Sequence, residues 1–75
     1  MSKHIDIKGI KYTLALTAVL TGFQVACCVL TPDGRVDNHY PSVFKTFENY
    51  WDAESYYADI YRYQTGRRVC DGPVN

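Results

Sequence analysis

The sequence lacks an excess of charge of either sign, because eight basic and eight acidic residues give a formal net charge of zero. Proteins that bind nucleic acid largely through its phosphates usually carry a basic excess, and acidic DNA mimics carry the opposite excess. The net charge therefore supports neither a nucleic-acid-binding protein nor an acidic DNA mimic. A chain that is 47% hydrophobic is too apolar to be disordered. With a length of 75 residues, we expect a single small domain over residues 1–75.

Motifs for catalysis and metal binding are also lacking. The three cysteines and two histidines form no CxxC or HxxxH pattern of the kind that binds zinc. Asp52 and Glu54 lie two positions apart on a predicted helix, so their carboxylates point in different directions and do not form an acid/base pair. A chain of this length has little room for a catalytic cleft. We therefore expect no enzymatic activity, no metal ion and no cofactor.

An odd number of cysteines argues against a secreted disulfide framework. Cys27 and Cys28 are adjacent, so on a strand their side chains face opposite ways. At most one of them can then pair with Cys70, and the sequence leaves open whether either does. We favour thiols in a reducing cytoplasm.

Residues 10–20 alternate between apolar side chains and a face rich in threonine. This period of two predicts a half-buried strand. Upstream of Gly9 the apolar residues Ile5 and Ile7 have odd numbers, whereas those on the apolar face of residues 10–20 have even numbers. This change of parity suggests a bulge or an irregular start at Gly9. Residues 12–30 carry no charge and follow a lysine-bearing N-terminal segment. An export signal with Val25-Ala26-Cys27 as a lipoprotein cleavage site, or a membrane span, is therefore an alternative interpretation.

The following residues predict two more strands. A Thr-Gly reversal leads into an apolar run that is typical of a central strand, at about residues 23–30. The Thr-Pro-Asp-Gly sequence at residues 31–34 is typical of a turn. After it we expect a third strand at about residues 35–47, interrupted at Pro41.

A single helix is expected at about residues 50–65. Asn49 is a favourable N-cap residue, and Gly66 is a favourable residue to end the helix after its last turn. Residues 71–75 are predicted to form a flexible tail. The predicted fold class is α+β. It consists of a three-stranded antiparallel meander with one helix packed on one face.

Aromatic residues are the most distinctive feature of the chain. It contains seven tyrosines and one tryptophan, and six of these eight residues lie between Tyr50 and Tyr63. Helical spacing predicts that Tyr56, Tyr57 and Ile60 cover the sheet. Trp51, Tyr61 and Tyr63 lie at or beyond the edge of that arc and are candidates for exposed contacts with a partner. The candidate partner-binding residues are Trp51, Tyr61, Arg62, Tyr63, Arg67 and Arg68.

The stretch Phe47-Glu48-Asn49-Tyr50-Trp51-Asp52-Ala53-Glu54, following a Thr-Pro-Asp-Gly hairpin, resembles the strand-to-helix junction of very small α+β phage proteins. These include anti-CRISPR proteins and phage inhibitors of host RNA polymerase. The resemblance implies a non-enzymatic inhibitor in the host cytoplasm, which occludes a larger complex such as a defence or transcription machine. The neutral charge then favours blockage by shape and aromatic contacts.

Three other interpretations remain open at this point. Interleaved arginine and tyrosine side chains suggest a nucleic-acid-binding module that stacks on bases. The uncharged run suggests an exported lipoprotein or a membrane-associated peptide. An unpaired edge strand also allows a homodimer with any of these functions.

Overall fold

The computed structural model describes residues 1–7 and 9–63. They form a four-stranded antiparallel sheet in the order β1-β2-β3-β4, with one helix packed on it. This confirms the α+β class, whereas the predicted number of three strands is wrong. The predicted helix residues 64–65, the Gly66 stop, Arg67, Arg68, Cys70 and the tail lie outside the described residues. The elements are β1 (Ser2–Ile7), β2 (Ile10–Val19), β3 (Gly22–Leu30), β4 (Val43–Phe47) and α1 (Tyr50–Tyr63).

The additional strand is β1, which pairs antiparallel with β2 in a register that joins Ser2 to Ala15 and Ile7 to Ile10. This register explains the parity slip at Gly9. A tight hairpin turn places odd-numbered residues of the first strand on the same face as even-numbered residues of the second. The slip is therefore a turn and not a bulge, and the Gly9 N–H donates a hydrogen bond of 2.9 Å to Oδ1 of Asp6.

The second hairpin turns one residue earlier than the sequence suggests. Val19 pairs with Gly22, so Leu20 and Thr21 form the turn, and β2 agrees with the strand predicted at about residues 10–20. Leu20 is fully exposed at the hairpin tip. The alternation along β2 predicts that Leu20 lies on the buried face. The strand ends at Val19, so the alternation does not extend to Leu20.

The predicted third strand at residues 35–47 is confirmed only for its second half, which is β4. Val36 makes a single bridge to Leu30, after which the chain turns. The Tyr40 N–H donates to the Asp37 carbonyl at 3.2 Å, and the Asp37 carboxylate accepts a hydrogen bond of 3.0 Å from the His39 N–H. These local bonds replace ladder bonds, so the continuous strand cannot start before Val43.

The Thr-Pro-Asp-Gly turn is confirmed. The Gly34 N–H donates to the Thr31 carbonyl at 2.9 Å, and Gly34 has a φ of +89°, which favours glycine. The Thr31 hydroxyl donates to Asp33, and this bond lowers the pKa of the Asp33 carboxyl; Arg35 Nε lies 3.0 Å from the same group. The side-chain hydrogen bonds of Thr31, Asp33 and Arg35 thus stabilise the turn that follows the end of β3.

The hydrophobic core lies between α1 and one face of the sheet. The helix buries Ala53, Tyr57 and Ile60, which confirms the predicted sheet-facing positions of Tyr57 and Ile60. Tyr56 is only half-buried and its ring lies 5.5 Å from that of Phe47. The largest side chains that are fully buried are Tyr12, Leu14, Ile60, Val25 and Cys27.

The second face of the sheet carries smaller and more polar side chains, and α1 does not cover it. Cys28 lies on this face, opposite Thr13, whereas its neighbour Cys27 lies in the core. Both cysteines are buried. Phe44 of β4 is the large apolar side chain on this face that is most exposed, at 62%.

Both edge strands carry a lysine on the helix side of the sheet. Lys3 of β1 pairs with the buried Leu14, and Lys45 of β4 pairs with the buried Val25, so both lysines share the core face. Their ammonium groups lie 5.4 Å from the Tyr61 ring and 5.0 Å from the Tyr56 ring. An inward-pointing charge on an edge strand opposes pairing with another sheet. The lysines therefore disfavour the edge-strand homodimer that the sequence allows.

Gly22 permits the close approach of β3 to the end of β4. Its φ is +142°, and a Cβ atom at this position would collide with the backbone carbonyl oxygen of Phe47 and lie 3.0 Å from the Glu48 Cα. The contact joins the β2–β3 hairpin to the segment that leads into α1. Only glycine fits this position without moving backbone.

We expect Gly22→Ala to reduce the free energy of unfolding by more than about 2 kcal/mol, since it adds both backbone strain and overpacking. Chemical denaturation followed by circular dichroism measures the change. Thr21→Ala, at the adjacent exposed turn position, is the matched control and should change stability by less than about 0.5 kcal/mol. Equal free energies of unfolding for Gly22→Ala and Thr21→Ala would contradict the close approach of Gly22 to the Phe47 backbone.

The second prediction concerns the edge lysines. We expect the double variant Lys3→Val/Lys45→Val to associate into dimers or larger species, because neither edge strand then carries a charge on the helix side of the sheet. Analytical ultracentrifugation at matched protein concentration compares it with wild type. The control is Lys11→Val, the same change on the interior strand β2. If wild type already associates through β1 or β4, the protective role of the lysines is wrong.

Candidate protein-interaction surface

Three aromatic rings meet at the start of the helix, and we call Phe23, Tyr50 and Trp51 the aromatic corner. The Phe23 and Tyr50 ring centroids are 5.4 Å apart with an interplanar angle of 78°, and those of Tyr50 and Trp51 are 5.5 Å apart at 74°. These are edge-to-face contacts of the favourable kind. Phe23 is half-buried, whereas Trp51 is 71% exposed. The corner thus connects the core to an exposed indole.

The backbone of Trp51 is fixed by the helix cap. Oδ1 of Asn49 accepts a hydrogen bond of 2.7 Å from the Trp51 N–H, as expected of an N-cap side chain. The Ala53 N–H donates to the Asn49 carbonyl at 3.2 Å and starts the helical ladder. The predicted N-cap is therefore confirmed. Trp51 projects from an ordered helix turn, so little backbone freedom is lost when a partner contacts it.

Acidic residues lie close to Trp51 in the sequence. Asp52 follows Trp51 in the first turn of α1, and Glu48 and Glu54 lie within three positions on either side. Carboxylates at this end of a helix are stabilised by the helix dipole. A cation is also nearby, since Phe23 pairs with Phe47 and the Lys45 ammonium lies 5.4 Å from the Phe47 ring.

The other described candidate residues lie at the opposite end of α1. Tyr61 and Tyr63 are 46% and 65% exposed, and the Arg62 guanidinium carbon lies 6.0 Å from the Tyr63 ring. Trp51 precedes Tyr61 by ten positions, or about 15 Å along the helix axis. The structure therefore divides the predicted surface into two groups. Arg67 and Arg68 lie outside the described residues.

The sequence analysis did not include Phe23 and Tyr50 among the candidate residues. Phe23 has the parity of the buried face of β3, and Tyr50 is the first helical residue, so their contact depends on where the helix begins across the sheet. The sequence alone does not specify that position. Leu20 and Phe44 were also missed, because their exposure follows from the hairpin turn and from the uncovered face.

A groove runs along one flank of the helix, beside the start of the chain. The Leu16 N–H donates to the Met1 carbonyl at 2.8 Å, which continues the β1–β2 ladder and holds Met1 next to α1. The cavity has a volume of about 340 Å³. We call it the flank groove; its lining residues are Met1, Glu54, Tyr57, Ala58, Tyr61 and Arg62.

Tyr57 is the most deeply buried residue that lines the flank groove, with 5% of its surface exposed. Its hydroxyl oxygen is buried and has no hydrogen-bond partner within the described residues. Burial raises the pKa of this hydroxyl, and the neighbouring Tyr61 raises it further. Tyr57 therefore stays protonated and offers a hydrogen-bond donor.

Within residues 1–7 and 9–63, no group of three or more His, Cys, Asp or Glu side chains is arranged to hold a metal ion. No helix in this part is long and apolar enough to cross a membrane. The uncharged residues 12–30 belong to β2, β3 and the turn between them.

Comparison with known proteins does not place the chain in a family. It matches no protein-family model, no curated protein and no solved structure. The resemblance to small phage inhibitors therefore remains a hypothesis.

The third prediction concerns the buried hydroxyl of Tyr57. The folded-state pKa lies above the ordinary value of 10.0, so the unfolded chain loses this proton first. Ionisation of Tyr57 therefore leaves the stability of the fold unchanged below the ordinary pKa, and stability falls as the pH rises from there through the raised pKa. We expect Tyr57→Phe to increase stability at neutral pH by about 1–3 kcal/mol and to weaken the loss of stability at alkaline pH.

Urea denaturation at a series of pH values measures both effects. Tyr63→Phe, the same chemical change at an exposed position, is the matched control and should leave the profile close to that of wild type. Identical profiles for wild type and Tyr57→Phe would show that the Tyr57 hydroxyl is hydrated in the folded chain.

Proposed function

We propose that this domain is a non-enzymatic protein-interaction module that binds a larger protein or protein complex. The observation that carries the proposal is Trp51, a tryptophan that is 71% exposed on a capped helix turn. Tryptophan is enriched among the residues that dominate binding energy at interfaces. A folded domain gains nothing in stability from exposing a large ring. Binding to a partner explains the exposure.

The charges around the aromatic corner favour a protein partner over a nucleic acid. Asp52, Glu48 and Glu54 would repel phosphates near Trp51. The ammonium groups of Lys3 and Lys45 lie over aromatic rings of the domain itself. A protein surface with an apolar pocket and a basic border fits the corner better. The nucleic-acid alternative has no comparable support.

We propose further that the domain acts as a small inhibitor, which occupies a functional surface of a larger complex such as a host defence or transcription machine. The support for this step is the resemblance of the strand-to-helix junction to those of small phage inhibitors. The size of the chain and the absence of a catalytic motif in its sequence are compatible with occlusion. Under this proposal the domain acts in the host cytoplasm.

The test is quantitative capture of partners from the native host, followed by measurement of affinity with the purified partner. We expect Trp51→Ala to weaken binding by at least about 30-fold, which corresponds to a hot spot of about 2 kcal/mol. Its stability should change little, because the side chain is exposed. A second variant, Tyr61→Ala/Tyr63→Ala, tests the other end of the helix separately.

The matched control is Phe44→Ala, which removes an exposed aromatic ring from the face of the sheet opposite the helix. We expect this variant to retain full affinity. If Trp51→Ala binds the partner as wild type does, the aromatic corner is not the interface. If the variant unfolds, Trp51 serves the fold and the proposal loses its main support.

A further inference from the structure

The second face of the sheet, which α1 does not cover, carries very little charge. Among the residues of the four described strands that lie on this face, the acidic and basic ones are Asp6 and Lys11, which pair with each other at one end of the sheet. A sheet face that is exposed to water is normally polar, whereas charged residues are depleted at the centre of interfaces. The composition of this face is therefore typical of a surface that is buried in an assembly.

One row of residues across the second face combines a large ring with small side chains. Ser2 pairs with Ala15, and Ala26 pairs with both Ala15 and Phe44, so these four residues lie side by side across the four strands. Phe44 is 62% exposed, and the two alanines are half-buried. The row is thus raised at β4 and low at β2 and β3.

The order of this row makes it complementary to a second copy of itself. Ala15 and Phe44 lie on the two strands that flank β3, each about 4.8 Å from Ala26. A two-fold axis that runs along β3 above Ala26 therefore places Phe44 of each copy over Ala15 of the other. Facing sheets lie about 10 Å apart with their strands within about 30° of each other. A large side chain opposite a small one fills that space.

The area of the face determines how strong such a contact can be. Strands of 5–10 residues, with a spacing of about 4.8 Å and a rise of about 3.3 Å per residue, give the face an area on the order of 500 Å². Two copies then bury about 1,000 Å² in total, which is the lower limit for a specific interface. We therefore expect a weak dimer with a dissociation constant in the micromolar range.

We propose that the domain forms a homodimer through the second face of its sheet, with Phe44 of each copy packed over Ala15 of the other. This contact differs from edge-strand pairing, because it uses side chains of the sheet face and not the backbone of β1 or β4. The two helices lie on the outer sides of the dimer, so both aromatic corners stay accessible. The inference is thus independent of the proposed binding function.

The experiment is analytical ultracentrifugation of the full chain at concentrations from about 1 to 500 µM, a range that covers weak interfaces of this size. We expect the average mass of wild type to rise reversibly from that of a monomer towards that of a dimer. Phe44→Ala should weaken dimerisation by at least about tenfold, because both copies lose the burial of a ring. Trp51→Ala is the matched control, since it removes an exposed ring from the helix side, and it should dimerise as wild type does.

A charge placed at the centre of the face tests the same contact independently. Ala15→Lys should abolish the dimer, because the ammonium group would be buried against the second copy without a partner. Ala18→Lys makes the same change on the same strand, at an exposed position of the opposite parity, and should leave dimerisation unchanged. Circular dichroism at a concentration at which wild type is monomeric verifies the fold of each variant.

An exchange of the ring between strands gives the sharpest test of the two-fold arrangement. Ala15→Phe alone places ring over ring and should weaken dimerisation by at least about tenfold through overpacking. The double variant Ala15→Phe/Phe44→Ala restores a large side chain opposite a small one. Its dissociation constant should return to within about threefold of the wild-type value.

Four results would overturn the inference: a wild-type chain that stays monomeric, equal dissociation constants for Phe44→Ala and Trp51→Ala, full association of folded Ala15→Lys, or no recovery in the double variant. The exchange of the ring decides the question even where Ala15→Lys fails to fold. The proposed function is tested separately, because binding of the partner is measured with Trp51→Ala and dimerisation with variants of the opposite face.

Discussion

The fold depends on the contact between one helix and the β2–β3 face of the sheet. A 14-residue helix is marginal in water on its own, so α1 exists because Ala53, Tyr57 and Ile60 are buried against the sheet. The sheet depends on the helix in turn, since α1 packs on the face that carries the buried Tyr12 and Leu14. This contact fixes the rotation of α1. Once Tyr57 faces inward, Trp51 must lie outside the packed stripe, and the exposed surface follows from the core.

The same rotation explains most of the aromatic excess without reference to a partner. Tyr57 is core, Tyr50 packs on Phe23, and Tyr56 packs on Phe47. Tyr56 and Tyr61 also lie within 5.4 Å of the inward-pointing lysines of the two edge strands. Aromatic rings on the helix flanks thus provide an environment for charges that would otherwise face apolar surface. Trp51 and Tyr63 are the most exposed aromatic residues of α1, and the edge contact of Trp51 with Tyr50 leaves most of its ring in solvent, which supports a search for function there.

The sequence contained enough information for the elements but not for their lateral arrangement. Period-two alternation and the Asn49 cap predicted β2 and the start of α1, because both signals are local. Strand β1 was missed since it offers only two isoleucines, and its parity slip was interpreted as a bulge or an irregular start, whereas the structure has a hairpin turn there. The break before Val43 depends on hydrogen bonds of Asp37, which compete with the ladder. The meeting of Phe23 with Tyr50, and of Met1 with the helix flank, depends on how α1 crosses the sheet, which no local pattern specifies.

The buried hydroxyl of Tyr57 shows how strongly one polar group affects the stability of a small core. A core of this size supplies only about 3–5 kcal/mol, and one buried hydroxyl without a hydrogen-bond partner costs about 1–3 kcal/mol. Phenylalanine would fill the same space without that cost. A tyrosine at this position therefore weakens the free domain by a large fraction of its stability. The hydroxyl oxygen is closed off from solvent and has no acceptor within the described residues, so the comparison of tyrosine with phenylalanine at this position measures that cost directly.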